Sequence, residues 1–155
     1  MSNMPKSVAA FLSGKRIAVA GVSRNPKQTG NAVFRKLRDA GFDVVPVNPK
    51  ASEAEGVRCY PDLAAIEGPV HAVMAVTPPS AAMAIVRQCA GKGVKHVWFH
   101  RSFGEGSVSK EAVEAGKANG IEVIVGGCPL MYCEPVDSGH RCIRWLLRLT
   151  GRVPG

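Results

Sequence analysis

The chain has no long apolar run. From Met1 to Gly14 the unbroken stretch is only Val8-Ala9-Ala10-Phe11-Leu12, too short for a secretory signal core or a membrane span. A soluble, cytoplasmic protein without a membrane partner is the expectation. Cysteine is sparse and odd in number, with Cys59, Cys89, Cys128, Cys133 and Cys142 scattered along the chain, which speaks for reduced thiols rather than a disulfide framework. Aromatic residues make up 6% of the sequence and are not interleaved with basic ones on a strand pattern. Zinc-finger spacing is missing as well, so no nucleic-acid partner is expected. Acidic residues are outnumbered, 12 against 20 Lys and Arg, for a formal charge of +8. Such a balance attracts polyanions, a multiply phosphorylated cofactor among them. No repeat, low-complexity segment or linker divides the 155 residues, so one domain, 1–155, is expected, able to bury about two-thirds of its unfolded surface.

What is present is an alternation. Arg16 to Ala20 is a short apolar run ending at a glycine, as a strand buried on both faces should be. Asn31 to Ala40 has helical spacing and is closed by Gly41. Phe42–Val47, Val70–Val76, Val94–Phe99 and Ile121–Val125 read as further strands. Asp62–Glu67, Ser80–Ala90 and Ser107–Asn119 read as helices. Strand and helix in turn imply right-handed crossovers, hence a doubly wound α/β domain, Rossmann-like, with five parallel strands and helices on both faces. A last helix over 136–150 would pack Cys142, Trp145, Leu146 and Leu149 and leave Arg141, Arg144, Arg148 and Arg152 as a solvated basic ridge.

Ligands of open parallel sheets sit beyond the carboxyl ends of the strands, where strand order reverses. Loop 21 to 30, the Asn48-Pro49-Lys50 turn, Val76-Thr77-Pro78-Pro79 and His100-Arg101-Ser102 all follow strand patterns and should converge there. The first loop, Gly21-Val22-Ser23-Arg24-Asn25-Pro26-Lys27-Gln28-Thr29-Gly30, is small, basic and bounded by glycines, and leads into a helix whose free N–H groups suit phosphate. Lys50 follows the second strand where an NAD-binding domain would usually place a carboxylate on the adenine ribose. A cation there favours a nucleotide with an additional phosphate. Arg24, Lys27, Lys50 and Arg101 are the cations expected at this rim.

Gly21-Val22-Ser23 with Asn25-Pro26-Lys27 and Gly30, then Val45-Pro46-Val47-Asn48-Pro49, Tyr60-Pro61-Asp62-Leu63 and Cys128-Pro129 resemble the small bacterial and archaeal CoA-binding proteins. These are similar to the CoA-binding domain of the succinyl-CoA synthetase alpha subunit, and the resemblance spans Gly14 to Pro129. It implies coenzyme A or an acyl-CoA as cofactor, with Ser23, Lys27 and Gly30 on the pyrophosphate and Asn48 and Lys50 on ribose or its 3′-phosphate. Thr77 and Pro78 would line the adenine, and His100 and Arg101 the pantetheine side. Gly21, Val22, Arg24, Pro49 and Val76 complete the expected set. His100 stands where relatives often carry glutamine, and Gly126-Gly127 where they often carry Asp-Arg. Nothing matching the synthetase's second, phosphohistidine-bearing domain follows Val125, so binding without turnover, with a regulatory role, is expected. An NAD(P)-binding redox enzyme or sensor is the alternative.

Other groupings carry less. Cys128, Cys133, His140 and Cys142 are spaced as C-x4-C-x6-H-x-C, which fits no common zinc pattern. No metal is expected. Cys128 would be a thiol near the cofactor end, where a mixed disulfide with CoA is conceivable. His100 lacks a nucleophile and an orienting carboxylate, favouring ligand contact over acid–base work. His71 and His96 read as edge or satisfied core histidines. Glu134 and Asp137 read as favourable to the N-terminus of the last helix. Homodimerisation is compatible with the helix faces of a small α/β domain.

Overall fold

The computed structural model describes residues 4–101, 106–129, 132 and 149. The expected last helix with its arginine ridge, and Ser102, Cys133, Glu134, Asp137 and His140, lie outside the described residues. Leu149, expected on that helix's packed face, is 68% exposed.

The chain begins with α1 (Lys6–Phe11), then β1 (Arg16–Ala20), α2 (Thr29–Asp39), β2 (Asp43–Val47), a hairpin of β3 (Glu53–Ala54) and β4 (Val57–Arg58), and β5 (Ala72–Ala75). A 3₁₀ turn (Pro79–Ala81) leads into α3 (Ala82–Lys92), followed by β6 (His96–Phe99), α4 (Lys110–Ala118) and β7 (Glu122–Val125). Five strands form one sheet in the order β2-β1-β5-β6-β7, every pairing parallel. With the small hairpin set aside this is a doubly wound order, and the winding reverses between β1 and β5.

Period-two alternation divides the core in two. Ile17, Val19, Met74 and Trp98 face α1 and α2, packing with Val8, Phe11, Val33, Phe34 and Leu37. Ala18, Ala20, Val73, Ala75, Val97 and Phe99 face α3 and α4, packing with Ile85, Val86, Cys89 and Ala112. Trp98 anchors the first layer: its indole N–H donates to the Gly126 carbonyl at 2.8 Å and its ring meets Phe11 edge-on, 5.3 Å between centroids.

One expectation about elements needs correction. The segment Asp62–Glu67 is not a helix but a series of turns. Its backbone is claimed by other side chains: Gln88 Oε1 accepts the Leu63 N–H, Arg16 donates to the Glu67 carbonyl and Lys92 to the Ile66 carbonyl. Six residues are too few to nucleate a helix against such competition. Two elements lie where the sequence reading assigned none: α1 before Gly14, and the β3–β4 hairpin between β2 and β5.

Candidate functional site

The carboxyl ends of β1, β2 and β5 open onto a groove of about 720 Å³, and an adjoining recess of about 420 Å³ extends toward β6. Gly21, Gln28, Val76, Thr77 and Pro78 line both, so the two are continuous. The groove lies at the reversal of winding between β1 and β5, where two consecutive crossovers leave in opposite directions.

Two glycines make the close approach possible. Gly21 has φ +101°, and a Cβ there would overlap the Val76 carbonyl; a Cβ on Gly30 would overlap the Gly21 carbonyl. The start of α2 is thereby pressed against the end of β1. Its N-terminus has no side-chain cap from Gln28 and no acidic residue in the first turn. Thr29 and Gly30 line the recess, so the positive end of an eleven-residue helix faces it.

The loop between these glycines is held by its own polar groups. Ser23 Oγ accepts the Asn25 N–H at 3.0 Å, and Asn25 Oδ1 accepts the Lys27 N–H at 3.1 Å. Asn48 joins the loop to the end of β2: its Nδ2 donates to the Val22 carbonyl at 2.9 Å and its Oδ1 accepts the Lys50 N–H at 2.8 Å. On the far wall, the Thr77 N–H donates to Ser107 Oγ at 2.9 Å. Thr77 Oγ1 is buried without a hydrogen-bond partner among the described residues, and it belongs to a residue lining both cavities.

Of the residues singled out in the sequence, Gly21, Val76, Thr77 and Pro78 border both cavities, Ser23, Asn48, Pro49 and Lys50 the groove, and Gly30 and His100 the recess. Val22 lies behind the surface, 0% exposed in the core. Arg24 and Lys27 are exposed on the loop and line neither cavity. Arg101 lines a separate hollow of about 440 Å³ beside Ser109 and Lys110, and its backbone pairs with Gly127, just after edge strand β7. Lys50 is thus the one expected cation that borders the groove among the described residues.

Sequence reasoning passed over Gln28, Thr29, Leu63, Ile85, Gln88 and Ser107, all of which line the site. Gln28 and Thr29 stood beside Gly30 in the loop already chosen. Leu63 belongs to the Tyr60-Pro61-Asp62-Leu63 motif, to which no contact with the ligand was assigned, while Ile85, Gln88 and Ser107 come from α3 and the segment before α4, where no local motif marks them. Cys128, where a mixed disulfide with CoA was conceivable, is 2% exposed within the core and lines neither cavity. Cys89 is equally enclosed, and burial pushes its thiol up to about 12.

A family model described as a CoA binding domain matches residues 15–134. The uncharacterized protein YneT of Bacillus subtilis is 32% identical over 114 residues, covering 74% of this chain and 82% of YneT. The alpha subunit of ADP-forming acetate–CoA ligase II from Pyrococcus furiosus is 34% identical over 125 residues, covering 76% of this chain and 27% of the subunit. The chain therefore corresponds to about a quarter of that relative's length. Among solved structures, a hypothetical protein from Pyrococcus horikoshii OT3 matches with a TM-score of 0.72 and 29% identity, covering 83% of this chain and 92% of its own.

Proposed function

Because the chain belongs to the CoA-binding domain family, matched over residues 15–134, we propose that it binds coenzyme A or an acyl-CoA in the groove at the β1–β5 switch point and does not turn it over. The observation that carries this reading is the uncapped N-terminus of α2 against Gly21 and Gly30 at the recess, with Lys50 lining the groove continuous with it. Backbone amides receive the pyrophosphate, and a separate cation receives a further phosphate. The apolar wall of Leu63, Ala81, Ala84 and Ile85, with Thr77 and Pro78, suits a planar base. The recess beside His100 and Ser107 receives the pantetheine end.

Binding rather than bond-making is supported by how the polar groups are used. Asp62 Oδ1 accepts the Ala65 N–H, Ser23 Oγ is engaged with Asn25, and both ends of the Asn48 amide hold backbone. These groups shape the groove. A protein of this kind acts by sequestering or sensing its cofactor.

Calorimetric titration with CoA and with dephospho-CoA tests the assignment. Removal of the 3′-phosphate, or Lys50→Met, should each weaken binding by roughly tenfold, and combining them should add little, as for one lost charged contact. Equal affinities for the two ligands would remove Lys50 from the reading. Thermal protection by NADPH with none by CoA would replace it with a nicotinamide-nucleotide site.

A further inference from the structure

Behind the groove loop, on the side away from the cavity, lies a polar cluster that the reading above does not use. Asn31 is 1% exposed in the first turns of α2. Its Oδ1 accepts the Ser23 N–H at 2.9 Å, while its Nδ2 donates to the Ser23 carbonyl and to Glu55 Oε1, each at 2.8 Å. One turn on, Arg35 donates to the same Glu55 oxygen at 2.5 Å and to the Pro26 carbonyl at 3.1 Å. A single carboxylate oxygen thus gathers the two side chains that grip the loop at Ser23 and at Pro26.

Glu55 stands in the turn between β3 and β4, and its side chain is only 10% exposed. Its φ is +53°, which no other non-glycine among the described residues shares in sign. Glycine or asparagine would adopt this backbone more readily than glutamate. The carboxylate offers what those residues lack: an acceptor-only group with the reach to meet two donors. Its charge is paired with Arg35, so a carboxylate behind a phosphate-facing loop does not stand there uncompensated.

We propose that Glu55 is a positioning residue for the ligand groove: acting through Asn31 and Arg35, it fixes loop 23–26 in the shape that faces the ligand. The β3–β4 hairpin is then part of the binding unit, although none of residues 53–58 lines either cavity. The inference rests on the coenzyme reading of the groove for its functional meaning, and on the hydrogen bonds alone for the ordering of the loop.

The experiment pairs amide hydrogen exchange at Ser23 in the ligand-free protein with calorimetric titration of CoA, on wild type, Glu55→Gly and Glu55→Gln. Glycine suits the backbone at this site, so Glu55→Gly removes the carboxylate while relieving the positive φ. Its expected signature is exchange at Ser23 faster by about tenfold or more, and CoA affinity lower by about tenfold, as for a lost charge-assisted bond. Glu55→Gln keeps an acceptor and should lose only about threefold on each. Exchange at core amides such as Val19 should stay unchanged while Ser23 exchange and CoA affinity shift together, which a general loss of stability would not produce. If wild type binds CoA and Glu55→Gly matches it in affinity or in Ser23 exchange, the proposal is overturned. If wild type does not bind CoA, the coenzyme reading fails. Ser23 exchange then decides the positioning role alone, faster exchange supporting it and unchanged exchange overturning it. Should Glu55→Gly not fold, Glu55→Gln decides on the same two readouts.

Discussion

At the scale of single residues, the same substitution should have opposite signs at two glycines. An alanine at Gly30 would drive its Cβ into the Gly21 carbonyl, which belongs to rigid backbone at the β1–α2 junction. Relieving that overlap means separating helix from strand, and overpacking of this kind costs about 1–3 kcal/mol. Gly91 lies inside α3 with open space where its Cβ would go and no positive φ. Gly91→Ala should therefore stabilise by about 0.5–1 kcal/mol through helix propensity and reduced unfolded-state freedom. Urea denaturation of the two variants checks both signs, and Gly30→Ala should in addition bind CoA more weakly because the α2 amides are displaced. The role of Gly30 was legible in the sequence, since a glycine opening a helix after a strand is where the backbone must come close. That of Asn48 was half legible. Its position at the groove followed from the end of β2, but nothing local shows that its amide would be engaged by the Val22 carbonyl and the Lys50 N–H.

At the scale of elements, the strands were legible because parallel strands covered on both faces read as short apolar runs, and β1, β2, β5, β6 and β7 each fall within the runs identified. What could not be read was settled by tertiary contacts. The helix α1 is six residues long and would be marginal alone; Phe11 on Trp98 and the His71 imidazole, whose Nε2 lies 3.0 Å from the Ala10 carbonyl, hold it in place. That docking site has a pH dependence. His71 and His96 lie 4.8 Å apart at the amino ends of neighbouring strands. Burial, followed by the proximity of His71, holds His96 below its ordinary value of 6.5, and Glu122 at 3.6 Å only partly opposes this. The folded state therefore binds fewer protons than the unfolded state between the depressed value and 6.5, so stability rises with pH through that window. Acidification from about pH 7.5 to about pH 5.5 should lower the denaturation midpoint. His96→Gln should flatten that slope, and an unchanged slope would remove His96 as its source.

At the scale of the whole molecule, the site exists because the sheet is wound both ways from β1, which brings the ends of β1, β2 and β5 to one opening while α2 packs on one face and the turns around Leu63 and Ile66, with α3, on the other. That much follows from the alternation of strands and helices. Which cations would border the opening did not follow, because Arg24 and Lys27 project from the loop and Arg101 turns toward α4. Their charge still acts at a distance as part of a chain carrying a formal +8, and such a field raises the local concentration of an anionic ligand and fades within a Debye length of about 8–10 Å at ordinary salt. Two contributions to CoA binding can therefore be separated by ionic strength. At low salt, CoA at about a hundred times its dissociation constant should stabilise the fold by about 2.7 kcal/mol, a rise of roughly 5–10 °C in midpoint for a chain of this size. Raising the salt to about 1 M, where the screening length is near 3 Å, should reduce the affinity through the distant cations yet leave a residual protection from the α2 amides and the apolar wall. Arg24→Gln with Lys27→Gln should reproduce the loss at low salt and be nearly silent at high salt. A midpoint rise that is the same at both ionic strengths would mean that the positive charge of this protein serves some purpose other than holding its cofactor.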